Sequence, residues 1–379
     1  MTGPPASGGA GEPLAGAELV RIRFPLHRGH RAAHGRLDER ELVLVRVEMA
    51  DGTVGWGECS ALASPTYSSE YTDGAWAVLR DLLLPAALRG ELPALVGHPM
   101  ATAALTTAIT DAALRRVGRS LAFELASQRG DGTPQEALPV CAVVSRTLGI
   151  DDLVAGVAER IEGRVAMVKL KASPAGDDLA AVAEVRQTWP DLALAVDFNG
   201  TADAEALGRL EPLGLAYVEQ PASADALVQS AAFAGSLGTP IALDESLGSV
   251  GALDAAVALR SGSIANIKPA RFGSPHAAAA AVRRAVDAGW KVFVGGMLES
   301  GIGRAAALAV AALPELSPAG SGLPTDLGPS LAYVDRDITD PLQTDELGRI
   351  EVPDGTGIGR TPDPASLALR VVDRLEVAR

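Results

Sequence analysis

The sequence predicts an α+β unit followed by a closed α/β barrel, and three observations carry that prediction. From Leu138 onward, short apolar runs alternate with Ala-rich amphipathic segments at a repeat of about 25 residues, the signature of parallel βα units. Ahead of them, runs with two-residue alternation give way to segments with three- and four-residue spacing, so strands precede helices. No Gly-rich dinucleotide fingerprint or phosphate loop follows any strand, and seven strands in one block fit a closed barrel better than a nucleotide-binding half.

In order along the chain, Met1 to Gly16 is rich in Gly, Pro and Ala and lacks the charged and apolar regions of a signal peptide, which predicts a disordered leader over 1–16. Leu19–Phe24 and Glu41–Val47 read as strands around a His/Arg/Gly-rich loop, His27 to Leu37. The Asp51-Gly52 turn makes 41–59 a hairpin. After a polar and aromatic loop, Ser64 to Tyr71, helices are expected over Asp73–Leu88, Met100–Val117 and Ala122–Gln128. These complete a unit over 17–137. The barrel strands are Pro139–Val144, Val165–Lys171, Leu192–Asp197, Ala216–Glu219, Ile241–Asp244, Ile264–Lys268 and Val292–Gly296, and the barrel is expected over 138–316. A Gly/Pro/Ser-rich stretch, short strands at Leu331–Ile338 and Arg349–Val352, and a loop and terminal helix over Thr361–Arg379 form a segment, 317–379, expected to return to the first domain.

A chain of 379 residues with 47% apolar content has ample core material for two domains. Its net charge of −14 argues against a nucleic-acid partner. No apolar run reaches the ~20 residues needed to span a bilayer, so no membrane partner is expected. Cys59 and Cys141 lie far apart without metal-ligand spacing, which predicts reduced thiols and a cytoplasmic protein. Ala-rich outer helices would suit a homo-oligomer.

Lysine is scarce: only Lys169, Lys171, Lys268 and Lys291 occur among 33 basic residues. Unlike arginine, lysine can be tuned into a base by burial or a neighbouring charge. Lys291, beside Trp290, reads as an ordinary cation, but the other three stand at strand ends. In a row come Lys169 and Lys171, Asp197 with Asn199, Glu219, Asp244-Glu245 and Lys268, separated from Lys171 onward by 26, 22, 25 and 24 residues. Each interval is one βα unit, so five strands deliver ionisable groups to the C-terminal face where barrel active sites form. One such Asp alone is more often a helix N-cap. Three carboxylates converging in a poorly solvated mouth would repel unless a cation sat among them, and oxygen-only ligands point to Mg²⁺, then Mn²⁺. None of the five histidines lies at a strand end, which argues against zinc. A cation gripping a small-molecule carboxylate substrate, with a lysine on either side of its α-carbon, is suited to removing an α-proton. That cation and Lys169 would lower the proton affinity of Lys171.

At these residues the chain resembles the muconate-lactonising subgroup of the enolase superfamily: Lys169-Leu170-Lys171, Asp197-Phe198-Asn199, Glu219-Gln220-Pro221, Asp244-Glu245-Ser246 and Ile267-Lys268-Pro269. The likeness runs from about residue 18 to the C-terminus. It implies an α/β fold of modified TIM barrel type, (β/α)7β, with an α+β capping domain formed by the N-terminal part and the C-terminal tail. By resemblance, Asp197, Glu219 and Asp244 are Mg²⁺ ligands (Mn²⁺ serving as well), Lys171 and Lys268 the acid/base pair, and Lys169 the electrostatic helper of Lys171. Gly55-Trp56-Gly57-Glu58-Cys59, Tyr67-Ser68-Ser69-Glu70-Tyr71, Lys268-Pro269-Ala270-Arg271 and the run Gly295–Arg304 resemble the o-succinylbenzoate synthase / N-succinylamino acid racemase branch. The resemblance implies substrate contacts from Asn199, Tyr67, Ser69, Arg271, Met297 and Glu299, with the loops His27–Leu37 and Ser64–Tyr71 closing over the substrate. Arg271 read alone is a surface arginine, and Ser69 a helix N-cap. Two stretches depart from the family pattern, Ala172–Asp177 and Phe198, and both are expected near the mouth.

The synthase reaction implied is dehydration of 2-succinyl-6-hydroxy-2,4-cyclohexadiene-1-carboxylate, a step of menaquinone biosynthesis. Lys171 takes the α-proton, Lys268 stabilises the enediolate, and hydroxide leaves with help from protonated Lys171. The alternative is racemisation of an N-succinylamino acid, with the same two lysines working from opposite faces. A non-catalytic carboxylate-binding relic would be expected to have lost a member of the Lys/Asp/Glu/Asp/Lys set.

Overall fold

The computed structural model describes residues 12–32, 35–130, 132–145 and 149–377; the leader expected over 1–16 lies largely outside them. Thirteen strands follow in chain order: β1 Gly16–Ala32, β2 Gly35–Glu48, β3 Val54–Cys59, β4 Ala137–Pro139, β5 Cys141–Val144, β6 Met167–Lys171, β7 Leu194–Asp197, β8 Tyr217–Glu219, β9 Ile241–Leu243, β10 Ile264–Ile267, β11 Lys291–Val294, β12 Arg349–Glu351 and β13 Val371–Val377.

The N-terminal unit is an antiparallel sheet in the order β13-β1-β2-β3, packed on helices that include Pro99–Arg116. Val43, Val45 and Val47 alternate inward on β2 against Leu105, Ala108 and Ala112 of that helix, the period of two meeting a helical stripe. The contact is close enough to exclude a side chain at two positions of β3. A Cβ on Gly57 would stand 1.9 Å from the carbonyl oxygen of Ala104, and one on Gly55 would stand 2.1 Å from that of Ala108. The segment His27–Leu37, expected as a loop, continues the β1–β2 hairpin beyond a register shift, with Arg31 opposite Arg36. The charged composition reads as loop, whereas the pairing here is made by the backbone. Ala33 and His34, at the tip of the segment expected to close over the substrate, lie outside the described residues.

Strands β5 to β11 form one parallel curled sheet in sequential order, the sheet of a modified TIM barrel. Residues 321–326 finish the ring. Gly322 bridges Val292 of β11, Thr325 bridges Val140 beside β5, and both bridges are parallel. The barrel therefore closes beyond residue 316, where its end was expected, because the closing segment is too short and Pro/Gly-rich to carry a strand pattern. Helices such as Gly176–Thr188 and Pro275–Asp287 surround it. Along β6, Val168 and Leu170 join the core between sheet and helices. Met167 joins the opposite cluster with Cys141, Ala195, Tyr217, Ala242, Ile264 and Phe293, which fills the floor of the barrel. Period two then sends Lys169 and Lys171 inward above that floor, in successive layers.

The tail departs from the expectation of a terminal helix. A short helix, Pro364–Ala368, precedes β13, which pairs antiparallel with β1 from Ala17↔Val377 to Ile22↔Val371. Leu331–Ile338 forms only a 3-10 turn at Ser330–Ala332, while β12 pairs with β4. No helix among the described residues is long and apolar enough to cross a membrane.

Candidate active site

The parallel register brings the strand ends level: Lys171 lies opposite Asp197, and Asp197 opposite Glu219. Each carboxylate of this arc is met by a lysine. Lys171 Nζ donates to Asp197 Oδ2 at 2.8 Å and to Asn199 Oδ1 at 2.9 Å. Lys169 Nζ donates to Glu219 Oε2 at 2.6 Å, and Lys268 Nζ to Asp244 Oδ2 at 2.9 Å. Lys171 and Lys268 thus stand at the two outer acids of the arc, with Glu219 between them. All three acids are buried, as is Lys169.

The backbone leaves its ordinary range to make this mouth. Asn199 and Gln220, just beyond the ends of β7 and β8, have φ of 45° and 39°, left-handed values that cost a non-glycine residue energy and cluster at functional sites. Asn199 Nδ2 bridges Asp197 Oδ2 and Glu245 Oε1, at 3.1 and 3.0 Å. Gln220 is wholly buried. Its Oε1 accepts from the Asp244 amide at 2.9 Å, and its Nε2 donates to Ser246 Oγ at 2.8 Å, which fixes the direction in which Asp244 leaves its strand.

Burial and the neighbouring cations pull the acids of this cluster in opposite directions. Burial raises the Glu219 carboxyl to about 8; Lys169 pulls against that, and Asp197 and Asp244 push with it. Asp244 goes the other way. Burial opposes its charge, but Lys268 and Arg271 more than offset that and hold it far below the usual carboxylate range. Among the described residues no three His, Cys, Asp or Glu groups stand in the arrangement of a formed metal centre, because each acid is turned onto an ammonium group. The donor set nevertheless fits a hard divalent ion, with three buried carboxylates on neighbouring strand ends and no sulfur or imidazole among them. Asp197, Glu219 and Asp244 are the residues that could hold it.

The N-terminal unit reaches into the mouth through the Ser64–Tyr71 loop. Tyr67 OH donates to the Asp244 carboxylate at 3.1 Å and accepts from Lys268 Nζ at 2.8 Å, while its ring lies 4.7 Å from that ammonium. The loop is pinned by Glu70, which accepts the amides of Met100 and Ala101 at the start of helix Pro99–Arg116, at 2.7 and 2.8 Å. Burial raises the Glu70 carboxyl to about 7. Arg271 is buried, not superficial. It donates to the Asp244 carbonyl oxygen at 2.8 Å and to Oδ1 at 2.7 Å.

Three other expected substrate contacts lie away from this cluster. Ser69 is exposed on the loop and does not cap a helix, since Tyr71 occupies the N-cap of Thr72–Val78. Met297 packs in the core of the N-terminal unit, and its carbonyl oxygen accepts from Arg40 at 3.1 Å. Glu299 turns into the seam between the units, where Arg304 Nη2 holds its Oε2 at 2.8 Å. There it neighbours Glu58, which accepts from Ser60 Oγ, Ser300 Oγ and the amides of Ser300 and Gly303. Of the departures from the family pattern, Phe198 faces the outer core and not the mouth. Ser173 is spent on Asp178, donating from its amide at 2.8 Å and its hydroxyl at 2.7 Å.

Sequence reasoning missed Gln220, Asn266 and Asp326. Asn266 donates to Glu219 Oε1 at 2.8 Å, and Asp326 accepts from Lys169. Extending the βα repeat one more step past β11 lands near the segment that carries Asp326, so a signal for it existed. Asn266, two residues before Lys268, was visible through the same alternation that pairs Lys169 with Lys171.

Residues 15–125 match the family model of the mandelate racemase / muconate lactonizing enzyme N-terminal domain, and residues 152–366 match the enolase C-terminal domain-like model. An N-succinylamino acid racemase from Amycolatopsis sp. is 39% identical over 376 residues, covering 93% of this chain and 96% of its own. An o-succinylbenzoate synthase from Geobacillus stearothermophilus is 34% identical over 362 residues, covering 91% and 92%. A solved structure described as a probable mandelate racemase from Alicyclobacillus acidocaldarius is 34% identical with a TM-score of 0.83, covering 96% of this chain and 99% of its own.

Proposed function

The chain belongs to the mandelate racemase / muconate lactonizing enzyme family of the enolase superfamily, and from that premise we propose that it is an o-succinylbenzoate synthase acting by Mg²⁺-assisted removal of a proton α to a carboxylate. The observation that carries this reading is the pair Lys171 and Lys268, anchored on the outer two of three buried strand-end carboxylates. Asp197, Glu219 and Asp244 would hold the cation. When bound, it supplies the positive charge that stabilises the extra negative charge of the deprotonated substrate carboxylate.

Lys171 removes the α-proton and afterwards returns it to the departing hydroxyl. Lys268, on the far side, remains an ammonium and faces the developing charge. Tyr67 and Arg271 keep Lys268 and Asp244 in register with one another, and the Tyr67 loop covers the mouth against water. Asn199 borders the substrate beside Lys171. The buried free thiols Cys59 and Cys141 accord with a reducing compartment, the cytoplasm.

A second reading is favoured by the same two-sided lysine arrangement, by the buried Arg271 beside Lys268, and by the likeness to the Amycolatopsis protein. It is racemisation of an N-succinylamino acid, in which Lys171 and Lys268 exchange the α-proton from opposite faces. Purified protein with Mg²⁺ is incubated in D₂O with each substrate class separately. The synthase reading expects dehydration of the cyclohexadiene. Deuterium entry at the α-carbon of N-succinylamino acids without that dehydration would replace it by the racemase.

A further inference from the structure

Lys169 is tied on two sides. One acceptor, Glu219, sits on β8, two strands along the sheet from β6; the other, Asp326, sits on the closing segment, two strands the opposite way. The lysine therefore spans the barrel interior just above the floor, with its ammonium 5.0 Å from the centre of the Phe293 ring. Asp326 is itself held in place by its neighbour. Thr325 Oγ1 donates to the Val294 carbonyl oxygen at 2.6 Å and its amide to that of Pro139 at 2.9 Å.

The charges in this layer raise a question that the three-carboxylate reading leaves open. Glu219 spends one oxygen on Lys169 and the other on Asn266. A cation that recruits Glu219 must compete with an ammonium 2.6 Å away. A lysine stripped of its only counter-charge in so buried a place would resist that exchange. Lys169 has a second counter-charge. That partner, Asp326, meets the ammonium from the opposite side of the barrel.

We propose that Asp326 is a positioning residue of the cation site: it carries the charge of Lys169 so that Glu219 is released to act as a ligand. The inference rests on the reading of Asp197, Glu219 and Asp244 as cation ligands. On this account Lys169, shared between Glu219 and Asp326 in the structure, is held by Asp326 alone once Glu219 is released. Lys169 thereby remains a fixed positive charge one layer beneath Lys171. Partners that orient metal ligands without touching the metal are typically worth about 10- to 100-fold in affinity.

The test is binding of Mn²⁺ alone to purified protein, read by the spin-resonance signal of the free ion, with no substrate present. Wild type is expected to take up the ion and Glu219→Gln to lose it. Asp326→Asn, which keeps the shape and removes the charge, is expected to bind about 10- to 100-fold more weakly. The double variant Lys169→Met, Asp326→Asn removes the competitor as well and is expected to recover most of that loss. A double variant no better than Asp326→Asn would make Asp326 a mere brace of the barrel and overturn the proposal, as would an Asp326→Asn protein that binds like wild type. Should Asp326→Asn fail to fold, Lys169→Met alone decides: it is expected to bind at least as tightly as wild type, and weaker binding overturns the proposal. Absence of Mn²⁺ uptake by wild type would instead sink the cation reading of the three carboxylates, and this inference with it.

Discussion

Glu58, in the seam between the two units, offers a measurable pH signature. Its carboxyl is buried against Ser60, Ser300 and Gly303, and burial raises it from the ordinary 4.5 to about 7; Ser300 and Arg40 work against the rise and Glu299 adds to it. Between those two values the folded protein holds a proton that the unfolded chain has released. Stability at this site is therefore complete below pH 4.5 and falls as pH rises toward 7. A shift of this size corresponds to about 1.4 kcal/mol per unit. Most of it develops between pH 5 and pH 8, for an expected loss of about 2 to 3 kcal/mol. Urea unfolding of wild type and Glu58→Gln at pH 5 and pH 8 isolates the term, since other groups titrate alike in both proteins. Glutamine cannot ionise, so its cost relative to wild type should shrink by about 2 to 3 kcal/mol on going to pH 8. A cost that is the same at both pH values would refute the reasoning and require an unperturbed carboxyl in the seam.

Lys171→Ala should leave a folded protein whose synthase and racemase activities are both reduced by about 10³-fold or more, the scale of a lost acid/base group; near-normal turnover would remove Lys171 from that role. Gly57→Ala should destabilise by about 3 kcal/mol or more, because the new methyl meets backbone and not a movable side chain; a thermal melt unchanged from wild type would contradict the close approach. Tyr67→Phe deletes the hydroxyl between Lys268 and Asp244 and should lower kcat/KM about 10-fold with little effect on unfolding. Exhaustive chelation should abolish turnover, and added Mg²⁺ or Mn²⁺ should restore it; activity that survives chelation would argue against a cation at Asp197, Glu219 and Asp244.

Much of the architecture was legible because barrel grammar is local. A buried parallel strand followed by an amphipathic helix leaves its mark in any window of about 25 residues, and the ionisable group at each strand end follows from the period alone. What escaped lies where local pattern and three-dimensional role part company. Asp326 sits in a Gly/Pro-rich stretch that closes the ring through isolated bridges, with no run of alternating residues to announce it. Arg271 was expected at the mouth through the family resemblance only, because one guanidinium in a loop carries no sign of the carboxylate that will bury it. Glu299 lies in a motif rich in mouth residues, yet Arg304, five residues on, captures it for the seam. The far arm of the β1–β2 hairpin is paired through its backbone, which its charged composition does not encode.

One consequence follows from the pairing of β13 with β1. The first sheet is stitched from the two extremes of the chain, with the whole barrel threaded between them. During synthesis the barrel units can emerge and stack in turn, while β1 waits with one edge bare for a partner more than three hundred residues away. The sheet that holds β1 is thus completed only after the barrel. A ribosome that stalls after the barrel would release a chain with most of its ionisable constellation in place and an open sheet edge ready to pair with a neighbour.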